Sequence, residues 1–318
     1  MQEQSDRPPV GGSRAVRLDA FGGPEVLDLR EVPAPQAGSG QIRVRVTAAG
    51  LNPMDWIMTA DADTAARFGL SLPAGFGTDY AGVVDQVGDG VSGFAPGDRV
   101  FGSALSRAVA DFVVIDPAGS IAANEAYHTP DGVDDRTAAT LAIAGRTASA
   151  ALAVVDPGPD DTVLIGGAAG GVGVFAVQLA RIAGARVIGT GSAASSDYLR
   201  DLGAEPVVYG DGLADRVRAL APGGVTAAVD LHGTETVHAA RELGVPDGRI
   251  CTIAAQVDGV PTANGANAAL GALEEIARLV AEGRLRVPVA ASFPVEQIRR
   301  AVELQAGRHV HGKVVIDL

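Results

Sequence analysis

The sequence predicts a two-part chain: an α/β domain on a doubly wound parallel sheet, joined to an all-β domain. Three observations predict it. Residues 14–126 read as short strands punctuated by turns; the middle of the chain alternates strand and helix; and one middle strand runs through a glycine-rich turn into a helix. With 318 residues, 47% of them apolar, and a mean hydropathy of +0.20, the chain is long and apolar enough for two cores.

Met1 to Ser13, MQEQSDRPPVGGS, is polar, lacks the apolar run of a secretory leader, and is expected to be a loose tail. From Arg14 to about Ala126 the strands are RAVRLDAFGG, VLDLREVPAPQ, QIRVRVTAAG, YAGVVDQVGDGVSGFAPGDRVFG and AVADFVVIDPAG. Ile42, Val44 and Val46 alternate with Arg43, Arg45 and Thr47, which gives one buried face, while VGDG and APGDR are turn sequences.

From Tyr127 the order becomes TVLIGG, a helix over Gly171–Ala183, ARVIGT, a helix near Asp197–Leu202, PVVY, a helix near Leu213–Leu220, VTAAVDL, a helix near Thr236–Leu243, and GRICTIAA. Such succession builds right-handed crossovers and a parallel sheet, and the unbroken apolar run Val163, Leu164, Ile165 suits a sheet covered on both faces. A long amphipathic helix is expected over Ala266–Glu282. Strand, helix and strand in VPVAASFPVEQIRRAVELQAGRHVHGKVVIDL then return to the texture of the first segment. The domains are therefore placed at 1–126, 127–262 and 263–318, the first and third forming one discontinuous unit.

A formal net charge of -13 repels polyanions, which argues against nucleic acid or an anionic membrane surface as partner. No stretch reaches the roughly 18 apolar residues of a membrane span. The lone Cys251, on an expected buried strand, excludes a disulfide framework or a zinc site of several thiolates and fits a reducing cytoplasm. His128, His232 and His238 have no serine or carboxylate pattern of a catalytic triad around them, and neither G-x-S-x-G nor a P-loop occurs.

The glycine turn has the register Ala168-x-Gly170-x-x-Gly173 between a strand and a helix. Gly170, Gly171 and Gly173, with Val172 packing inward, suit a bare backbone at a helix N-terminus, where unpaired N–H groups and the helix dipole attract a pyrophosphate. A site for NAD places an acid about 20 residues later for the ribose 2′-hydroxyl. Here VIGTGSAASS has none; Gly191 and Ser192, with Ser195 or Ser196, leave room for a 2′-phosphate, and Arg200 is the nearest cation. NADPH is thus expected over NADH.

The segments AAGLNPMDW, GTDYAGVVDQVGDGVSGFAPGDRVFG, GGAAGGVGVFAVQLARIAGARVIGT and HGKVVIDL, in this order, resemble the zinc-free quinone oxidoreductase branch of the medium-chain dehydrogenase/reductases. The likeness runs over nearly all of the chain from Arg14. It implies a GroES-like β-barrel catalytic domain formed by both chain ends, a Rossmann-type domain between them, an NADPH cleft, and often a homodimer. Metal-dependent relatives carry cysteine where Asn52 stands and a His-Glu pair where Thr78 and Asp79 stand. LAIAGRTASAAL offers no third ligand, so no metal is expected. The chemistry implied is hydride transfer to a polarised acceptor, a quinone or an α,β-unsaturated ketone or aldehyde, with hydrogen-bond donors and water stabilising and protonating the oxygen.

By the same resemblance Thr147 stands beside the nicotinamide, Ile253 and Ala254 meet its carboxamide, Tyr209 lies at the adenosine end, and Lys313, the only lysine, reaches the cofactor phosphates. Asn52 either donates a hydrogen bond in the substrate pocket or shapes the turn before Pro53; Trp56 opens the substrate loop; Asp55 and Asp79 are structural acids. The helix after the second strand lacks the lysine that relatives use for the 2′-phosphate, and the loop after LNPMD lacks their tyrosine. His309 and His311 share one face of an extended segment, a chelating spacing with no further ligand nearby. The alternatives are an enoyl or alkenal reductase of a biosynthetic pathway, or a low-turnover NADPH-binding partner protein.

Overall fold

The computed structural model describes residues 12–118, 124–308 and 310–318. The first segment holds β1 (Ser13–Leu18), β2 (Asp28–Val32), β3 (Ile42–Leu51), two short helices α1 (Pro53–Ile57) and α2 (Ala62–Arg67), β4 (Ala74–Gly75), β5 (Asp79–Val87), β6 (Arg99–Ala104), β7 (Phe112–Ile115) and β8 (Asn124–His128). Strand β1 pairs with β2 and β4 in a small sheet, and β3 pairs antiparallel with β5 and β7. The alternation in β3 is observed: Ile42, Val44 and Val46 are buried, Arg43 and Thr47 half-buried and Arg45 exposed. Ser13, the last residue of the expected tail, opens β1.

The middle segment holds α3 (Asp135–Ala138), α4 (Ala142–Val155), β9 (Thr162–Gly166), α5 (Gly171–Ile182), β10 (Arg186–Gly191), α6 (Ser196–Leu202), β11 (Glu205–Val208), α7 (Leu213–Leu220), β12 (Ala227–Asp230), α8 (Glu235–Glu242) and β13 (Ile250–Thr252). The five strands are all parallel, in the order β11-β10-β9-β12-β13. The order reverses between β9 and β12, and doubly wound sheets open a crevice at the carboxyl ends of their strands there. Both faces are covered. Val163 and Ile165 face a core shared with α4 and α5, and Leu164 between them faces a second core with Val217 and Val237 of α7 and α8.

The last segment holds α9 (Ala272–Ala281), β14 (Val289–Pro294), α10 (Ile298–Ala306) and β15 (Lys313–Asp317). Strand β15 inserts between β14, to which it runs parallel, and β3, to which it runs antiparallel with Val315 opposite Gly50. Strands of the first and last segments therefore share one sheet. The expected helix over Ala266–Glu282 is shorter: a single turn at Gly265–Asn267 is followed by α9, because Gly271 adopts a left-handed φ of 81° that no helix interior accepts. Leu273, Ile276 and Ala277 of α9 pack in the core with α4 and α5. The boundary expected at 263 is thus displaced; the chain joins the first sheet only at β14. The boundary after 126 falls inside β8, whose His128 still pairs with Val100. Among the described residues no helix is long and apolar enough to cross a membrane.

A buried ion pair ties β8 to helix α4 of the middle segment. Arg146 of α4 donates to both carboxylate oxygens of Glu125 on β8, one at 2.8 Å, and to the Tyr127 hydroxyl at 2.9 Å. The two charged side chains are only 12% and 11% exposed. Removing one partner of such a pair strands the other charge away from water. Arg146→Ala is expected to cost about 3 kcal/mol in denaturant unfolding; a loss below about 1 kcal/mol, the range of a surface pair, would show that the junction carries little.

Candidate cofactor cleft

Strand β9 ends at Gly166, and the chain turns through Gly167 at a φ of 66°. Thr190 of β10 clamps the turn: its hydroxyl accepts from Gly167 N at 3.1 Å and its carbonyl from Ala168 N at 3.2 Å. Helix α5 begins after Gly170, and no side chain caps it. Its first-turn N–H groups at Gly171, Val172 and Gly173 thus face the crevice without a side-chain acceptor. A Cβ on Gly173 would stand 2.4 Å from the carbonyl oxygens of Gly167 and Ala168, so only glycine closes this turn. Alanine fits the first position of the fingerprint because its partner is bare: a Cβ on Gly189 would lie 2.9 Å from that of Ala168. Val172 packs, partly buried, against the core beneath.

At its carboxyl end β10 closes on Gly191, and the hydroxyls of Ser192 and Ser195 are 2.8 Å apart. It is buried Ser195, rather than Ser196, that meets Ser192; Ser196 opens α6, half-buried. Arg200 lies on an exposed face, paired with Asp197 at 2.6 Å. Tyr209 is 51% exposed, and its backbone N donates to Gly191 O at 3.2 Å, which keeps it beside the end of β10. One residue not singled out for this site joins it: His311 places Nε2 2.9 Å from Ser195 Oγ and stacks on Tyr198 at 5.2 Å. Its companion in the HVH spacing, His309, lies outside the described residues.

The adjoining β domain contributes a buried polar cluster. Lys313, 2% exposed, donates from Nζ to Asn52 Oδ1 at 2.6 Å, and Asn52 Nδ2 donates to Asp79 Oδ2 at 3.0 Å. Ile143 N at the start of α4 also donates to Asp79, at 3.2 Å. Asp55 accepts from Asn52 N at 2.8 Å and from the Thr78 hydroxyl at 2.6 Å. Burial raises both acids, Asp55 to about 7 and Asp79 to about 6; the nearby Lys313 ammonium opposes the rise. Burial in turn lowers Lys313, opposed by the two carboxylates. The lysine stem borders the glycine turn, since a Cβ on Gly171 would lie 3.1 Å from Lys313 Cδ, and Gly312 N donates to Ala169 O at 3.1 Å. The Lys313 ammonium itself is turned away from the turn, toward Asn52.

Asn52 therefore has its amide oxygen and one amide hydrogen engaged inside the protein. Trp56 packs partly buried in the β domain, donates to Gln305 Oε1 at 3.1 Å and lies 5.9 Å below the Arg308 guanidinium. Thr147 Oγ1 donates to Ile143 O at 2.7 Å, one turn back along α4, with Gly265 packed beside it. Ile253 N is bonded to Asp230 O, while Ala254 is exposed just past the carboxyl end of β13. The sheet, the uncapped glycine turn at its carboxyl edge and the β domain closing over it define a two-domain dinucleotide-binding fold.

Comparison with known proteins agrees. Residues 38–129 match the model of the alcohol dehydrogenase GroES-like domain, and 171–279 that of the zinc-binding dehydrogenase. A quinone oxidoreductase of Pseudomonas aeruginosa is 30% identical over 96% of this chain and 99% of its own length. The quinone oxidoreductase of Rattus norvegicus is 41% identical over 56% of this chain, a match that spans about half, 52%, of that relative. A mycobacterial protein whose structure was solved complexed with NADPH superposes with a TM-score of 0.82 at 27% identity, covering 96% of this chain and 100% of that one. The chain belongs to the medium-chain dehydrogenase/reductase family, in its quinone oxidoreductase-like branch.

The buried acids make stability depend on pH. Each has a folded pKa above its unfolded value near 4, so between about pH 4 and 7 the unfolded chain releases protons that the folded chain retains. The stabilising contribution is complete below pH 4 and lost as pH rises through 6 to 7. In urea unfolding, Asp55→Asn is expected to flatten this decline, losing less stability between pH 4 and 7 than the native chain; an unchanged decline would show that Asp55 does not titrate in this window.

Proposed function

We propose that the protein is a metal-free, NADPH-dependent reductase that passes hydride to a quinone or to the β-carbon of an α,β-unsaturated carbonyl compound. The observation that carries this reading is the uncapped glycine turn at the carboxyl edge of the sheet, facing a β domain whose polar cluster is charged by a lysine. Bound NADPH would supply the hydride. The first-turn N–H groups of Gly171, Val172 and Gly173 would hold its pyrophosphate, with Gly191, Ser192 and Tyr209 at the adenosine ribose and Thr147 and Ala254 at the nicotinamide end. The missing acid after β10, and the NADPH bound by a structural relative, favour the phosphorylated cofactor.

The donor set does not suit zinc. An amide, a hydroxyl and one carboxylate stand where thiolate, imidazole and carboxylate would be needed, and each is already engaged by a neighbour. The positive charge in this region comes from the chain itself, as the ammonium of Lys313. Asn52, held at its oxygen by Lys313 and at one amide hydrogen by Asp79, keeps a single N–H for a ligand. Its first effect is to fix the loop that carries Trp56. Water entering the open cleft is the simplest proton source for the reduced acceptor.

Purified protein mixed with NADPH or NADH and a panel of quinones, enals and enones is expected to oxidise NADPH with at least one acceptor, at a rate unaffected by chelator. No turnover on any acceptor while NADPH still binds would favour a binding protein, and response to enals or enones alone would favour the alkenal-reductase alternative. Gly171→Asp aims a carboxylate at the pyrophosphate and is expected to weaken NADPH binding about a hundredfold, as like charges in contact cost several kcal/mol. Native affinity in that variant would mean that the phosphates bind elsewhere.

A further inference from the structure

The ribose end of the cleft poses a problem of charge. A 2′-phosphate offers only acceptor oxygens, yet Arg200, the cation of α6, is exposed and tied to Asp197. The nearest basic side chain in a hydrogen-bonded chain leading to Ser192 is His311, brought in from the segment before β15. Three contacts hold it there: Nε2 to Ser195 Oγ at 2.9 Å, the stack on the Tyr198 ring at an interplanar angle of 24°, and the neighbouring Gly312 N to Ala169 O at the glycine turn. Gly312 is required for this approach, because it holds a φ of 97° and a Cβ there would meet Pro288 O at 2.3 Å and the Tyr198 hydroxyl at 3.2 Å.

The relay has a direction. When Nε2 carries a hydrogen, the imidazole donates to Ser195, Ser195 donates to Ser192, and the Ser192 hydroxyl hydrogen is left for a ligand acceptor. When Nε2 is the acceptor the chain reverses, and Ser192 presents lone pairs that suit a ribose hydroxyl instead. A phosphate, which offers only acceptors, selects the first arrangement.

We infer that His311, acting through Ser195 and Ser192, is the residue that selects the 2′-phosphate of the cofactor, the role that an α6 lysine is missing to fill. This rests on the NADPH reading above. Isothermal titration would measure NADPH and NADH, and as fragments adenosine 2′,5′-bisphosphate and 5′-AMP, against the native chain, His311→Ala, His311→Gln and Ser195→Ala. The NADPH-to-NADH affinity ratio, and the same ratio for the fragments, should fall about tenfold in His311→Ala, the scale of one charge-assisted hydrogen bond. Ser195→Ala should lower it similarly, and His311→Gln, which keeps a side-chain donor at this position, should lower it less. If the native chain prefers NADPH and His311→Ala keeps the full preference, the role of His311 is overturned while the NADPH reading stands. If the native chain binds NADH as tightly as NADPH, both are overturned.

Discussion

The buried ammonium of Lys313 is the contact on which the cleft depends. An ammonium taken out of water without partners costs several kcal/mol, so β15 can seat this residue beside β3 only because Asn52 accepts from it and two carboxylates lie in range. The same side chain passes against Gly171, the first residue of α5. The last strand, the loop after β3 and the mouth of the glycine turn are thereby one mechanical unit. Neither domain supplies the site alone.

The charge count within that unit is tight. Two acids share one cation in a region closed to water, and burial makes ionisation of both costly. Asp79 is held by Asn52 and the first turn of α4, and Asp55 by Asn52 N and the Thr78 hydroxyl, while burial raises both. Desolvation thus opposes a second negative charge beside the Lys313 ammonium.

Much of this was legible in the sequence because it is local. The turn between β9 and α5 announces itself through small residues at fixed offsets after an apolar strand, and the alternation from Ile42 to Thr47 fixes which face of β3 is buried. The start of α9 has a local signal as well, since Gly271 interrupts the amphipathic pattern and takes a left-handed φ. The long-range contacts left almost no local trace. Lys313 and Asn52 are separated by 261 positions and His311 and Ser195 by 116, and no periodicity links them. A lone lysine opening the apolar run KVVIDL was the one hint of a buried charge, and its expected reach to the cofactor phosphates differs from the inward direction of its ammonium. The points of composition change at 126 and 263 do not mark breaks in packing, since β8 runs through residue 126 and α9 packs with α4 and α5.

Hydrogen exchange measured with and without saturating NADPH tests the central claim that the three elements around Lys313 form one cofactor-binding unit. The account predicts slowed exchange together at Gly171 to Gly173, at residues 52–56 and at residues 311–313, with the outer strands of the β domain unchanged. Protection confined to other regions, or none at the α5 N-terminus, would contradict it.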